Sequence, residues 1–302
     1  MRVLLTNRSL SDYGGTETWV YEMARKISVH HEVTIFSPEL GNFADILKKV
    51  LPEVQVIDTP EASEPFDLAI VNHYPNLVLC RDLDCPVVYT SHGPSHILEQ
   101  PIMGADHYVA VSEEVRAVGR SLGYKPHLIR NGVDMERFKP GEPEEMPWPH
   151  RKPRVLSMCK NTLGKGMVAA ACYHQGIELD YAQWEENPTW DISPKIQWAD
   201  IVVGYGRGCY EALSCNKAVL CFDARNREPR ADGWLTKENI STMVTRNCSG
   251  RTNNLQWGVE DVEKALGQFR DDYMGWGREW VKAHHNIDSV VEQYLSFQQT
   301  TL

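Results

Sequence analysis

Short β-branched runs alternate with helix-like stretches twice along the chain, and a segment unable to hold regular structure separates the two series. The first series comprises Val3-Leu4-Leu5, Val33-Thr34-Ile35-Phe36, Val54-Gln55-Val56-Ile57, Leu68-Ala69-Ile70-Val71, Val87-Val88-Tyr89, Tyr108-Val109-Ala110-Val111 and His127-Leu128-Ile129. Strands linked through helices return in parallel, so the pattern predicts βαβ units around a parallel sheet. Between Lys139 and Pro153 five prolines fix φ and remove backbone donors, which suits a linker. A second series follows, with strands expected at 154–158, 177–179, 201–203 and 218–222. After Val259 the pattern predicts two helices, the later one over 287–299. The fold class is therefore α/β, with a first domain over 1–140, a linker over 141–153 and a second domain over 154–285. A C-terminal helix over 286–302 is expected to pack back toward the first domain.

The 302 residues suit two domains of roughly 150 each. A net charge of -10 disfavours affinity built on neutralising many nucleic-acid phosphates, while leaving room for a local basic groove. The longest apolar run, Met167 to Tyr173, falls far short of the roughly 20 residues that cross a bilayer. The N-terminus reads as a strand rather than a signal peptide, so the expected location is cytoplasmic. Ile46-Leu47-Lys48-Lys49-Val50-Leu51 reads as a solvated helix face, with contact to a membrane surface as the alternative. Eight cysteines are scattered without a Cys-x-x-Cys pair, as expected of reduced core thiols.

Parallel sheets bind ligands beyond the carboxyl ends of their strands, so those loops are where chemistry is sought. After the first strand, Gly14-Gly15-Thr16-Glu17 opens a helix, and bare backbone N–H groups there suit an anion; a plain turn capped by Thr16 is the simpler alternative. In the second half, Cys159-Lys160-Asn161-Thr162-Leu163-Gly164-Lys165-Gly166 fails as a P-loop, because Cys159 replaces the first Gly and Gly166 replaces the magnesium-binding hydroxyl. Lys160 and Lys165 remain able to clamp a diphosphate as fixed charges, or to be solvated surface lysines. Gly204-Tyr205-Gly206-Arg207-Gly208 leads into a third helix, where Arg207 adds a planar cation and Glu211 can accept from ribose hydroxyls or serve the helix dipole. His92 ends a central strand of the first half and is either a structural hydrogen bonder or a group facing substrate. His30, His31 and His73 lack partners at metal-ligand spacing, and no metal site is expected.

Together these loops resemble the retaining nucleotide-sugar glycosyltransferases of family 4, over about residues 1 to 225. The resemblance rests on Gly14 to Glu17, Thr90-Ser91-His92-Gly93, Ala105 to Ser112, Arg130-Asn131-Gly132-Val133-Asp134 with Arg137 to Pro140, the lysines at 160 and 165, and Glu211-Ala212-Leu213-Ser214-Cys215. It implies the GT-B fold, two facing Rossmann-like domains with a cleft between them. It also implies transfer of a sugar from a nucleoside-diphosphate sugar with retained configuration, with no cofactor and no metal. Lys160 and Lys165 then resemble the residues on the donor diphosphate, with Gly206, Arg207 and Gly208 beside the same phosphates. Glu211 resembles the carboxylate on the ribose, Gly14 and Gly15 approach from the other domain, and His92 resembles the histidine at the transferred sugar; His92, Lys160 and Lys165 form the catalytic set.

Three departures bear on function, the first being Lys160 where the family has Arg, which keeps the charge but loses the bidentate fork. The family usually has two Glu eight positions apart, and counting back from Glu211 reaches Val203, an apolar strand residue. The stretch between Lys165 and Asp200 is short, so the second domain is expected to be trimmed, with Trp184, Trp190 and Trp198 in its core or stacked on a nucleobase. A nucleotide-sugar epimerase or hydrolase, and a catalytically silent sugar-nucleotide binding module, are the competing readings. The acceptor is open among a polysaccharide, a lipid carrier, a protein, a small molecule and a modified nucleic acid, and so is the oligomeric state.

Overall fold

The computed structural model describes residues 1–60, 65–143, 145–182 and 191–299. The elements run β1 (Arg2–Thr6), α1 (Gly15–Ile27), β2 (Glu32–Phe36), α2 (Asn42–Val50), β3 (Gln55–Ile57), β4 (Leu68–Asn72), α3 (Tyr74–Cys80), β5 (Val87–Ser91), β6 (His107–Ala110), α4 (Glu113–Ser121) and β7 (His127–Leu128). They continue with β8 (Arg154–Ser157), α5 (Thr162–Gln175), β9 (Glu178–Tyr181), α6 (Ser193–Trp198), β10 (Ile201–Gly204), α7 (Arg207–Ser214), β11 (Ala218–Asp223), β12 (Arg230–Trp234), α8 (Ile240–Met243), β13 (Leu255–Gln256), α9 (Val259–Gly267), α10 (Gly277–His284) and α11 (Ile287–Leu295). The chain divides into two compact units, Met1–Gly132 with Ile287–Leu302, and Val133–Asn286.

The first unit is built on a seven-stranded sheet in the order β3-β2-β1-β4-β5-β6-β7, parallel throughout. Strand order reverses between β1 and β4, which places a crevice beyond their carboxyl ends. The central strands read as continuous apolar runs because helices cover both faces; Leu68, Ala69, Ile70 and Val71 are wholly buried. Helix α11 packs on α1, burying Ile287, Val290, Val291 and Tyr294. The Tyr294 hydroxyl pairs with Thr90 Oγ1 at 3.1 Å, and its ring meets Trp19 edge-on.

The second unit holds a six-stranded sheet, β13-β12-β11-β10-β8-β9, whose order reverses between β8 and β10. Strands β8 to β11 pair in parallel, but β12 and β13 are antiparallel additions that the sequence reading omits. The connection from Asp223 to Arg230 is too short for a crossover helix, so the chain turns back on itself. Asp232 inside β12 is buried and accepts from the main-chain N–H groups of Gly250 (2.9 Å) and Asn253 (2.7 Å), which fixes the following loop.

Two expectations need correction. The division falls at 132/133 rather than at 140, because Val133 and Phe138 pack into the core of the second unit with Leu156, Val202 and Leu213. Three helices follow Val259 instead of two; the chain breaks at His285–Asn286, where the His285 carbonyl accepts the Val133 N–H at 2.7 Å. In the segment 46–51, Lys48 and Lys49 are exposed, Ile46 and Val50 are partly buried, and Leu47 and Leu51 are buried, so one side is solvated and the other packs on the core. Trp198 packs against the second core with Arg154 over its ring, whereas Trp184 and Trp190 lie outside the described residues. All eight cysteines are free, seven of them buried. Among the described residues no helix is long and apolar enough to cross a membrane.

Candidate functional site

In the second unit the loop after β8 enters α5 through Asn161, whose side chain caps the helix by accepting from the Gly164 N–H at 2.7 Å. The same amide donates to the Ala224 carbonyl, tying the loop after β8 to the loop after β11. A Cβ on Gly164 would press within 3.0 Å of Cys159 Cβ and 3.1 Å of Ala224 Cβ, so glycine is what lets these loops close. Lys160 is exposed beside this cap and Lys165 stands half-buried in the first turn of α5. The N-terminal N–H groups of α5 and these two cations therefore share one edge of the sheet.

The loop after β10 reaches α7 through Gly206, held at φ +64 and ψ -137, a conformation that L side chains resist. The Gly206 N–H donates to the Cys248 carbonyl at 2.9 Å. Arg207 and Glu211, one helical turn apart, form a buried ion pair with Nε 2.8 Å from Oε1. Arg207 Nη1 is also buried and has no acceptor among the described residues. Gly208 has a packing reason besides: a Cβ there would lie 2.8 Å from Met158 Cε, so its absence seats α7 against the residue that precedes Cys159. Lys160, Lys165, Gly206, Arg207, Gly208 and Glu211 thus gather at the carboxyl ends of β8 and β10, the two strands at the order reversal.

The sequence reading passed over Asp223 and Arg225 at the end of β11. The Arg225 guanidinium lies 3.9 Å from the centre of the Tyr205 ring and binds Asp223 with Nη2 2.6 Å from Oδ2. Burial pushes the Tyr205 hydroxyl up to about 12, with Arg225 opposing. No glycine marks this loop, but the rule that sites follow strand carboxyl ends would have found it.

In the first unit the residues just past β1, β4 and β5 are Asn7, His73 and His92. The His92 N–H donates to Glu99 Oε2 at 2.8 Å, its ring Nε2 lies 3.0 Å from Asn72 Oδ1, and Trp19 meets the ring edge-on at 5.1 Å. His73 is held at φ +67 and ψ +132, with Nδ1 accepting from the Arg8 N–H at 3.3 Å and Nε2 3.4 Å from Glu99 Oε1. Burial works to raise the Glu99 carboxyl, but the His73 hydrogen bond and the nearby imidazoles outweigh it and hold the group below its ordinary value. Sequence reasoning missed Glu99 and set His73 aside for want of metal-ligand neighbours; its partner lies far along the chain.

At the start of α1, Gly14 is occupied differently from expectation. A Cβ there would sit 1.9 Å from Glu17 Oε2, and that carboxylate accepts from Asn7 Nδ2 at 2.9 Å and Thr16 Oγ1 at 3.2 Å. The helix's own Glu17 thus lies against the bare backbone of Gly14, while Gly15 faces open space. Among the described residues no group of three His, Cys, Asp or Glu is placed to hold a metal ion.

Comparison with known proteins bears on both units. Residues 13–137 match Glycosyltransferase Family 4. No curated protein matches the chain by sequence. Among solved structures, Anabaena HepE in complex with UDP and glucose aligns over 100% of both chains, with a TM-score of 0.68 and 14% identity. Sucrose-phosphate synthase from Thermosynechococcus elongatus aligns over 99% of this chain and 98% of its own, at 0.62 and 13%. A glycosyltransferase from Rickettsia africae aligns over 99% and 97%, at 0.57 and 14%. The chain has the α/β fold of the GT-B glycosyltransferase structures, and the Family 4 match falls mostly in the first unit and ends just inside the second.

Proposed function

We propose that this chain is a glycosyltransferase that moves a sugar from a nucleoside-diphosphate sugar to an acceptor, retaining anomeric configuration and working without a metal ion. The observation that carries the reading is the convergence of two helix N-termini, α5 and α7, with Lys160, Lys165 and Arg207 at the order reversal of the second sheet. A diphosphate is the ligand that uses all of these groups. Support also comes from HepE, whose structures hold UDP and glucose or UDP-glucose.

Breaking the bond between the anomeric carbon and the phosphate oxygen leaves negative charge on the departing diphosphate. Fixed donors placed there lower the barrier because they need no reorganisation. In this reading Lys160 and Lys165 supply the charge a divalent ion would otherwise bring. Arg207 keeps Nε on Glu211 and offers the unpartnered Nη1 to a phosphate oxygen. Glu211, fixed by that bond, presents its other oxygen to the ribose. His92, with Gly14 and Gly15, contacts the sugar or acceptor from the first unit.

One observation favours a second reading, a silent sugar-nucleotide binding module: Val203, at the position of the family's first Glu, is wholly buried in β10. Thermal shifts with UDP, GDP and ADP, followed by UDP release from UDP-glucose with and without EDTA, separate the two. A shift with EDTA-resistant release supports the transferase, a shift without release supports the module, and no shift with any nucleotide defeats both.

A further inference from the structure

Asn72 and His73, consecutive at the end of β4, each carry a local cost that folding alone does not repay. Asn72 is wholly buried, yet its Nδ2 has no acceptor among the described residues. His73 sits at φ +67 and ψ +132, a region that L residues occupy only when their surroundings force it. Both residues converge on His92. The carboxamide Oδ1 of Asn72 meets Nε2 of the ring, and the Glu99 carboxylate that accepts the His92 N–H is itself paired with His73.

An amide oxygen only accepts, so the ring nitrogen facing it must carry the proton. We propose that Asn72 is a positioning residue for His92: its buried carboxamide fixes the neutral ring as the Nε2–H tautomer and sets its plane, with Glu99 clamping the main chain of the same residue. The lone pair then belongs to Nδ1. Among the described residues, Glu99 from the turn Ile97–Glu99 is a titratable group set against His92 and holds His73 on its other oxygen, while α1 contributes the Trp19 ring. The inference rests on the reading that His92 serves the transferred sugar, but its tautomer can be measured without any substrate.

The test is nitrogen NMR of histidine-labelled full-length protein, with His92 assigned by loss of its signals in His92→Phe. Wild type is expected to hold the proton on Nε2. Asn72→Asp should raise the His92 titration midpoint by about one pH unit or more, since a carboxylate would then face the ring. Asn72→Leu should mix the tautomers and slow UDP release from UDP-glucose about tenfold, with UDP affinity unchanged. Its melting temperature should change little, because the lost bond to His92 is offset by removal of a buried amide nitrogen that has no acceptor among the described residues. An Nδ1–H tautomer in wild type, or an unmoved midpoint in Asn72→Asp, overturns the proposal, as does UDP release within twofold of wild type in Asn72→Leu. Should Asn72→Leu fail to fold, the wild-type tautomer and the Asn72→Asp titration still decide. Absence of UDP binding to the wild type would defeat the donor reading separately, leaving the NMR result to judge the Asn72–His92 bond alone.

Discussion

The two units use the same device, a parallel sheet whose strand order reverses, and fill the resulting edge with opposite chemistry. The edge of the first unit carries two bonded groups of side chains, Asn7 with Glu17 and Asn72 with His92, Glu99 and His73, and a carboxylate lies against the start of the first helix. The edge of the second unit gathers Lys160, Lys165, Arg207 and Arg225 around two helix starts, with the carboxylates of Glu211 and Asp223 each paired to one of the arginines. Topology decides where a site can form, whereas the side chains decide its charge. On the proposed reading the second edge takes the anion and the first edge takes a neutral, hydrogen-bonding group.

The sharpest way to break this comparison is at Glu211. Removing one partner of a buried ion pair strands the other charge, so Glu211→Ala should cost about 3–5 kcal/mol in urea unfolding and abolish UDP binding. A loss below about 1 kcal/mol would mean the pair behaves as a surface one. Lys165→Ala tests the anion site without disturbing the fold. Losing a hydrogen bond to a charged group is worth about 1.5–3 kcal/mol, so UDP affinity should fall roughly ten- to hundredfold in calorimetric titration, with the melting temperature unchanged. His92→Ala should leave UDP affinity intact; if it weakens UDP as much as Lys165→Ala does, the contrast between the edges fails.

How much of this was legible depended on what kind of signal each residue carried. The central strands were plain because buried parallel strands are runs of apolar residues, as Leu68 to Val71 are. Strand β12 was not, since Arg230, Asp232 and Gly233 interrupt any strand pattern, and only the bonds of Asp232 to a later loop explain them. The prolines marked a break in regular structure, but domain membership is set by packing, and Phe138 before them belongs to the second core. Glycines led to the loops after β8 and β10. They did not lead to Asp223 and Arg225, where the loop needs no glycine, nor to Glu99, whose meaning comes from partners just past β4 and β5 that only the fold brings near.

A smaller effect separates charge from packing at the first edge. Because the Glu99 carboxyl is held below its ordinary value, it contributes stability above its unfolded pKa, and that contribution disappears as the pH falls through the folded value. Glu99→Gln should therefore be less stable than wild type at pH 7 by about 1–2 kcal/mol, with the gap closing in acid. Urea unfolding at pH 7 and in acid reads this directly. A gap that stays constant would assign Glu99 to packing alone.

The smallest effect lies with Arg225, and it bears on whether the second edge is one site or two. Its guanidinium stacks on Tyr205 and pairs with Asp223, but the side chain is 46% exposed, so Arg225→Ala should cost only about 0.5–1 kcal/mol of stability. Arg225→Lys keeps the charge and loses the flat surface over Tyr205. If Arg225 serves the diphosphate as a charge, the lysine variant should bind UDP as wild type does and the alanine variant should not. If both variants bind UDP equally well, Arg225 stands outside the anion site, and the cationic edge narrows to the loops after β8 and β10.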